Sequence, residues 1–147
     1  MGYQKNTWQG VLRHVICNFK IQMMDMTQGK TTVVLGASAN PSRYSYLAIR
    51  KLAAHGHPVV AIGKKKGRVG EVDIETDPIQ VTQVDTVTLY LNPMNQQEYL
   101  DYILNLNPKR IIFNPGTEND DLIRSARNKG IEPVIGCTLV MLSAGMY

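Results

Sequence analysis

One stretch near the start of the chain constrains the fold more than any other. Residues 31–41, TTVVLGASANP, place a run of β-branched and apolar residues before a turn of small residues, and a helix is predicted from near Ser45. This order is typical of the first strand of an open α/β sheet, which leads through a tight turn into a helix. Backbone N–H groups and the helix N-terminus converge at such a turn, so the stretch favours a bound phosphate or pyrophosphate.

The alternation of strand and helix continues along the rest of the chain. Strands are predicted at 32–35, 58–62, 84–91, 109–113 and 133–135, and helices at 45–55, 95–106, 120–129 and 137–142. Residues 69–83 are predicted to be irregular, with a short extended piece at 69–72 and a break at Pro78. This spacing predicts an α/β fold: a doubly wound, mostly parallel, five-stranded Rossmann-like sheet with helices on both faces.

Length and composition are those of one ordinary globular domain, predicted over residues 30–147. The chain has 147 residues, of which 44% are hydrophobic and 19% charged. The net charge is +4, and the basic residues are scattered except at Lys64–Lys66, so a nucleic acid is not an expected partner. No apolar run reaches the about 20 residues of a membrane span, and no secretory signal is found. We therefore expect a cytoplasmic protein without a membrane partner.

Residues 1–29 differ from this body. Apolar side chains recur there at spacings of three and four between Trp8 and Met23, which predicts an amphipathic helix. Two interpretations stay open. The segment is either an additional helix packed on the body or on a neighbouring subunit, or a partly disordered extension upstream of a natural start at Met23, Met24 or Met26.

Four predicted loops fall at the carboxyl ends of strands, where sheets of this kind bind their ligands. All four are rich in Gly, Pro, Asn or Lys, at 36–43, 63–67, 92–94 and 114–117. In the first loop, small residues let the backbone approach an anion, and serine hydroxyls at 38, 42 and 45 can donate hydrogen bonds. Arg43 adds a fixed positive charge. The predicted ligand-binding residues are Gly36, Ala37, Ser38, Asn40, Pro41, Arg43, Ser45, Gly63, Lys64, Lys65, Lys66, Asn92, Pro93, Pro115 and Gly116.

Three consecutive lysines, Lys64–Lys66, stand where a fold that binds a nicotinamide cofactor usually has an acidic residue for a ribose hydroxyl. The first turn also departs from the Gly-x-Gly-x-x-Gly pattern, because Pro41 takes the place of the third glycine. Lysines at this strand end can pair with a phosphate monoester on a ribose. NADP carries one at the 2′ position and coenzyme A carries one at the 3′ position, and the residues alone leave both open.

These strand ends resemble a known family. The turn Gly36-Ala37-Ser38-x-x-Pro41, the strand end VVAIGKK at 59–65 and the sequence Leu91-Asn92-Pro93 look like the small bacterial coenzyme-A-binding proteins. Those are single Rossmann-like domains similar to the nucleotide-binding domain of the succinyl-CoA synthetase alpha subunit. The resemblance covers about residues 30–147 and implies coenzyme A or an acyl-CoA as the ligand.

The resemblance also implies roles for individual residues. The first turn would line the pyrophosphate with Arg43 beside it, Lys65 or Lys66 would face the 3′-phosphate, and Asn92-Pro93 would flank the adenine. Two positions depart from the family pattern: many members have Asn-Pro at 63–64, and a Cys-Pro step where this chain has Cys137 and a threonine.

No catalytic constellation is visible in the sequence. His14 lies in the N-terminal segment, and His55 and His57 flank a glycine at the end of the sheet opposite the predicted ligand. Cys17 and Cys137 match no metal-ligand spacing, and no His or Asp neighbours Cys137 in sequence. We expect non-catalytic binding of a nucleotide ligand, by a protein that forms a homo-oligomer or serves a partner enzyme. An NADP-dependent reductase-like module and a subunit interaction domain without a ligand are the alternatives.

Overall fold

The computed structural model describes residues 29–147, so the predicted N-terminal helix, His14 and Cys17 lie outside the described residues. The strands are β1 Thr32–Leu35, β2 Val59–Ile62, β3 Gly67–Val69, β4 Val72–Glu75, β5 Thr86–Leu89, β6 Arg110–Phe113 and β7 Glu132–Ile135. The helices are α1 Tyr44–Ala54, α2 Pro93–Gln96, α3 Leu100–Asn105, α4 Asp120–Asn128 and α5 Thr138–Ser143. A 3₁₀ turn, Gln97–Tyr99, joins α2 to α3.

All these strands form one sheet in the order β3-β4-β2-β1-β5-β6-β7. Every neighbouring pair is parallel except β3 and β4, which are antiparallel. β1 lies between β2 and β5, with Val33 opposite both Val60 and Val87. The strands β2, β4 and β3 therefore lie on one side of β1. The chain then returns, and β5, β6 and β7 lie on the other side of β1. A crevice forms at the carboxyl ends of β1 and β5, because the loops on either side of this reversal leave in opposite directions.

The sheet contains seven strands in the described part of the chain rather than the predicted five. The two additional strands, β3 and β4, form a hairpin that begins just before the stretch predicted to be irregular. Val69 pairs with Val72 across a two-residue turn in which Gly70 has a φ of +60°. The predicted extended piece at 69–72 is thus the turn of the hairpin. β4 joins the sheet by pairing in parallel with β2, with Ile74 opposite Ala61, and the residue pattern within 69–83 does not indicate this pairing.

Helices cover both faces of the sheet, as predicted. Ile49 and Leu52 of α1 and Leu142 of α5 pack on one face, in a cluster with Val34 of β1. Ile103 of α3, together with Leu122 and Ala126 of α4, packs on the other face. The two central strands are buried along their whole length, as β-branched and apolar strands between two helical layers should be.

The helical segment predicted at 95–106 begins earlier, at Pro93, and the 3₁₀ turn Gln97–Tyr99 divides it into α2 and α3. Pro93 is the first residue of α2, and the side chain of Asn92 accepts a hydrogen bond from the Asn95 N–H at 2.9 Å. A proline at the first helical position after an asparagine cap is a strong start signal, so the helix begins where the strand-end loop would otherwise continue.

Candidate functional site

A cavity of about 770 Å³ opens at the carboxyl ends of the central strands. It is lined by the loops that follow β1, β2, β5 and β6, which are the four loops predicted to meet there. Of the predicted residues, Gly36, Ala37, Ser38, Asn40, Arg43, Ser45, Lys64, Lys65, Lys66, Asn92, Pro115 and Gly116 line the cavity. Pro41, Gly63 and Pro93 are not among its lining residues. The lining also includes residues that the sequence reasoning missed: Ala39, Tyr44, Tyr90, Leu91, Asn95 and Thr117.

Small residues at the end of β1 are required by close packing between loops. Gly36 has a φ of +89°, and a Cβ added there would lie 2.8 Å from the carbonyl carbon and oxygen of Tyr90. The N–H groups of Gly36 and Ala37 both donate to the carbonyl oxygen of Ile62, each at 3.0 Å. These two amides therefore hold the turn against the end of β2 and are already used within the protein. Anion-binding donors at this turn must come from further along the chain.

Asn40 organises the turn that leads into α1. Its N–H donates to the hydroxyl of Ser38 at 3.1 Å, and its side-chain oxygen accepts from both the N–H and the hydroxyl of Ser42, at 3.0 and 2.8 Å. Its carbonyl oxygen accepts from the N–H of Arg43 at 3.0 Å. The hydroxyl of Ser42 is therefore committed to the turn. The hydroxyl of Ser38 acts as an acceptor here and keeps its own hydrogen for another partner.

The N-terminus of α1 presents uncapped donors to the cavity. Arg43 is the cap residue, with extended backbone, and no side chain makes a capping hydrogen bond to this helix. The first N–H groups of a helix have no partner within it, and the helix dipole places partial positive charge there. Tyr44 and Ser45 of this first turn line the cavity together with Arg43. The arrangement is a site for an anionic group.

The lysine loop reaches the same cavity because the end of β2 approaches the end of β1 very closely. A Cβ added at Gly63 would lie 2.2 Å from the carbonyl oxygen of Ala37, and the Gly63 N–H donates to the carbonyl oxygen of Glu75 at 2.9 Å. Gly63 is buried behind the cavity wall. Its role is to let the two strand ends touch, and that contact places Lys64–Lys66 beside the turn.

The cavity is strongly basic. Arg43 and Lys64–Lys66 line it, and no carboxylate is among its described lining residues. All four basic side chains are exposed, and within residues 29–147 none of them is paired with an acidic side chain. Unpaired cations on one side of a crevice attract a multiply charged anion.

A buried amide supports the opposite wall of the cavity. The side-chain NH₂ group of Asn114 donates to the hydroxyl of Thr88 at 2.7 Å and to the carbonyl oxygen of Leu89 at 2.8 Å. Its side-chain oxygen accepts from the N–H of Thr138 at 2.9 Å. Asn114 therefore joins the ends of β5 and β6 to the start of α5, directly before Pro115 enters the cavity lining.

Tyr90 lies in the cavity wall, and its hydroxyl group is buried within the protein. The hydroxyl oxygen is buried and has no hydrogen-bond partner among the described residues. The nearby hydroxyls of Thr88 and Thr138 are bonded to each other at 2.7 Å. Burial raises the pKa of Tyr90 far above its usual range, so the phenol stays protonated and is unsuited to act as a base.

The other candidate reactive groups lie away from the cavity. His57 precedes β2 at the opposite edge of the sheet, where its Nδ1 accepts the backbone N–H of Lys30 at 2.9 Å and its ring packs against Tyr147. Cys137 is half-buried before α5 and is not among the cavity residues. Residues 29–147 contain no group of three or more His, Cys, Asp or Glu side chains placed to hold a metal ion. The described helices include none with both the length and the apolar character of a membrane span.

Fold and cavity together define a Rossmann-like domain with a basic crevice at the point where the strand order reverses. The family described as CoA binding domain matches residues 30–143, and the chain belongs to this family. The predicted resemblance to the coenzyme-A-binding proteins is therefore confirmed.

Solved structures share this fold. A crystal structure of an uncharacterized protein shares 53% sequence identity with this chain, with a TM-score of 0.79, and the match covers 81% of this chain and 98% of that one. A hypothetical protein from Pyrococcus horikoshii OT3 has 20% identity and a TM-score of 0.71 over 86% of this chain and 89% of its own. A Thermus thermophilus protein has 18% identity and the same TM-score over 87% and 98%. The last two likenesses show the fold alone. No curated protein matches the chain.

Proposed function

We propose that this protein binds coenzyme A or an acyl-CoA in the basic cavity and holds it without catalysing a reaction on it. The observation that carries the proposal is a pairing of two anion-binding features in one cavity. The uncapped N-terminus of α1 with Arg43 forms one, and Lys64–Lys66 form the other. Coenzyme A has two separate anionic groups, a pyrophosphate and a 3′-phosphate, and membership of the CoA binding domain family favours it over NADP.

The residues present fit such a ligand. The α1 N-terminus, the free hydroxyl hydrogen of Ser38 and Arg43 would hold the pyrophosphate, and Lys65 or Lys66 would face the 3′-phosphate. Asn92 would lie beside the adenine, as the family resemblance implies. The volume of about 770 Å³ lies within the range of small-molecule sites, and its open basic side suits the charged half of the ligand.

Binding without chemistry is supported by the groups that face the cavity. They are cations, amides, hydroxyls, small residues and the apolar Leu91 and Pro115, and the hydroxyl of Tyr90 is buried away from solvent. His57 and Cys137 lie elsewhere. A general base or nucleophile with an orienting partner is what an enzyme would need here. Delivery of the ligand to a partner enzyme, homo-oligomer formation and a cytoplasmic location stay predictions.

Calorimetry with a set of related nucleotides tests the proposal. Coenzyme A should bind in the micromolar range, and dephospho-coenzyme A should bind more weakly because it lacks the 3′-phosphate. Exposed ion pairs are worth about 0.2–1 kcal/mol each, so the lysine that faces the 3′-phosphate, together with its two lysine neighbours, should separate the two ligands by about 0.6–3 kcal/mol, roughly three- to a hundredfold in affinity. Replacement of Lys64–Lys66 by alanine should remove this difference, whereas Arg127→Ala, on the exposed side of α4, should preserve it.

Each alternative has its own outcome. If millimolar coenzyme A gives no heat and no coenzyme-A-sized species co-purifies with the protein in native mass spectrometry, the proposed function is wrong. Tighter binding of NADPH than of coenzyme A, with hydride exchange to a carbonyl compound, would establish the reductase-like alternative. Equal affinity for coenzyme A and dephospho-coenzyme A would show that the lysines do not bind the 3′-phosphate.

A further inference from the structure

Gln96 is a fully buried polar side chain directly behind the cavity. It has no exposed surface, and its NH₂ group donates to the carbonyl oxygens of Leu91 and Thr117, at 2.8 and 2.7 Å. Its side-chain oxygen accepts from the NH₂ group of Asn119 at 2.9 Å. Both donors and the acceptor of the amide are therefore satisfied, as a buried carboxamide requires.

The two carbonyl groups that Gln96 bonds belong to neighbouring loops on one wall of the cavity, because β5 and β6 are adjacent strands. Leu91 lies in the loop after β5, Thr117 lies in the loop after β6, and both residues line the cavity. Gln96 itself stands in α2, behind both loops. One side chain thus ties the loop after β5 to Thr117 in the loop after β6, a residue that lies 21 positions after Gln96 in the chain.

The amide is itself held in place by a helix cap. Asn119 is the cap residue of α4, and its side-chain oxygen accepts from the N–H of Leu122 at 3.3 Å while its NH₂ group donates to Gln96. The orientation of the Gln96 amide is therefore anchored on a regular helix, and Asn119 is only 8% exposed. A rigid support of this kind is what a binding site needs to keep its shape.

We propose that Gln96 is a positioning residue that holds the loops after β5 and β6 together as one wall of the cavity. The inference rests on the proposed function, since the ligand it concerns is coenzyme A. The side-chain hydrogen bonds of Gln96 go to Leu91, Thr117 and Asn119, and none goes to the lysine loop or to the N-terminus of α1. Its loss should therefore weaken the contacts that the two tied loops make, and leave the ionic contacts to the phosphates unchanged.

Gln96→Met tests this inference in the full-length protein. Methionine fills a similar volume but leaves the carbonyl oxygens of Leu91 and Thr117 buried without donors, which favours separation of the loops. We expect coenzyme A to bind about tenfold more weakly. The slope of log Kd against log salt concentration should parallel that of the wild type, because the ion pairs are retained. Alanine at Lys65, in contrast, should reduce this slope.

A matched control separates positioning from general stability. Ile131→Ala removes a buried side chain immediately before β7, at the opposite edge of the sheet, and should destabilise the protein without changing the Kd. Asn119→Ser keeps a good helix cap but removes the donor to Gln96, and about threefold weaker binding is expected even if Gln96→Met does not fold.

The outcomes separate the two proposals. Wild-type affinity in folded Gln96→Met, or in Asn119→Ser, would overturn the role of Gln96 while the proposed function stands. Equal weakening by Ile131→Ala and Gln96→Met would also overturn it, because the effect would then be one of stability. Absence of coenzyme A binding by the wild type would overturn the proposed function, and the role of Gln96 with it.

Discussion

The contact between the ends of β1 and β2 makes Gly63→Ala the most informative single substitution. Gly63 has no unusual φ, so a backbone argument alone would tolerate alanine there. Its added Cβ, however, would lie 2.2 Å from the carbonyl oxygen of Ala37, and ordinary van der Waals contact begins at 3.4 Å. The two strand ends would have to separate by about 1.2 Å.

That separation has a definite cost. Moving Ala37 away would stretch the hydrogen bonds that its N–H and that of Gly36 make to Ile62 at 3.0 Å. Overpacking of a close contact costs about 1–3 kcal/mol, and each weakened hydrogen bond costs up to about 1 kcal/mol more. We expect Gly63→Ala to lower the free energy of unfolding by about 3 kcal/mol. With a urea m value of about 2 kcal/mol per molar, the unfolding midpoint should fall by about 1.5 M.

Gly130→Ala is the matched control, measured by the same urea unfolding followed by circular dichroism. Gly130 has a φ of +76° but open space around its Cα, so alanine there meets only the left-handed backbone penalty of about 1 kcal/mol. The midpoint should then fall by about 0.5 M. A Gly63→Ala protein as stable as Gly130→Ala, or more stable, would refute the close contact between the two strand ends.

Two further predictions concern the pH dependence and the polar interior. Burial, with neighbouring positive charges, lowers the pKa of His57 from 6.5, so the unfolded chain binds more protons between the two pKa values. Stability should therefore fall as the pH drops below about 6.5, and urea unfolding across this range should show a smaller loss in His57→Asn; an equal loss would contradict the prediction. Asn114→Leu leaves the carbonyl oxygen of Leu89 and the N–H of Thr138 unpaired, and should cost about 2–4 kcal/mol in the same assay, against less than about 1.5 kcal/mol for Ile112→Val. Equal losses in these two variants would argue against the amide network.

The sequence predicts where the site lies because of a general property of parallel sheets. All parallel strands of one sheet end at the same edge, so residues after β1, β2, β5 and β6 meet there however far apart they are in the chain. Gly36, Lys65, Asn92 and Gly116 belong to four different loops and line one cavity for this reason.

The sequence is less informative about which residues of a loop face the cavity. Pro93 is the first residue of α2, Gly63 packs behind the wall, and neither lines the cavity, although both stand next to residues that do. Tyr90 and Thr117 line it from positions that the pattern assigns to a strand and to the end of a loop. Side-chain direction at a strand end depends on the turn that follows, and turn geometry is weakly encoded by residue type.

Gln96 shows the limit most clearly. A glutamine in a helical segment is more often exposed than buried, so its residue type carries no sign of a structural role. Its burial follows from the approach of Thr117 and Asn119 after the chain has passed through another strand. The hairpin of β3 and β4 was missed for the same reason, because β4 takes its place by pairing with β2.

The alternation of strands and helices, the parallel sheet and the edge at which the basic loops meet can all be predicted from the residues, since they follow from local periodicity and from the geometry common to all such sheets. The tertiary structure, in contrast, is needed to say which donors are free at that edge. The backbone N–H groups of Gly36 and Ala37 donate to the carbonyl oxygen of Ile62, while those at the start of α1 have no side-chain cap. It also decided the support of the opposite wall, through Gln96. These features depend on contacts between residues distant in the chain, and no local propensity specifies such contacts.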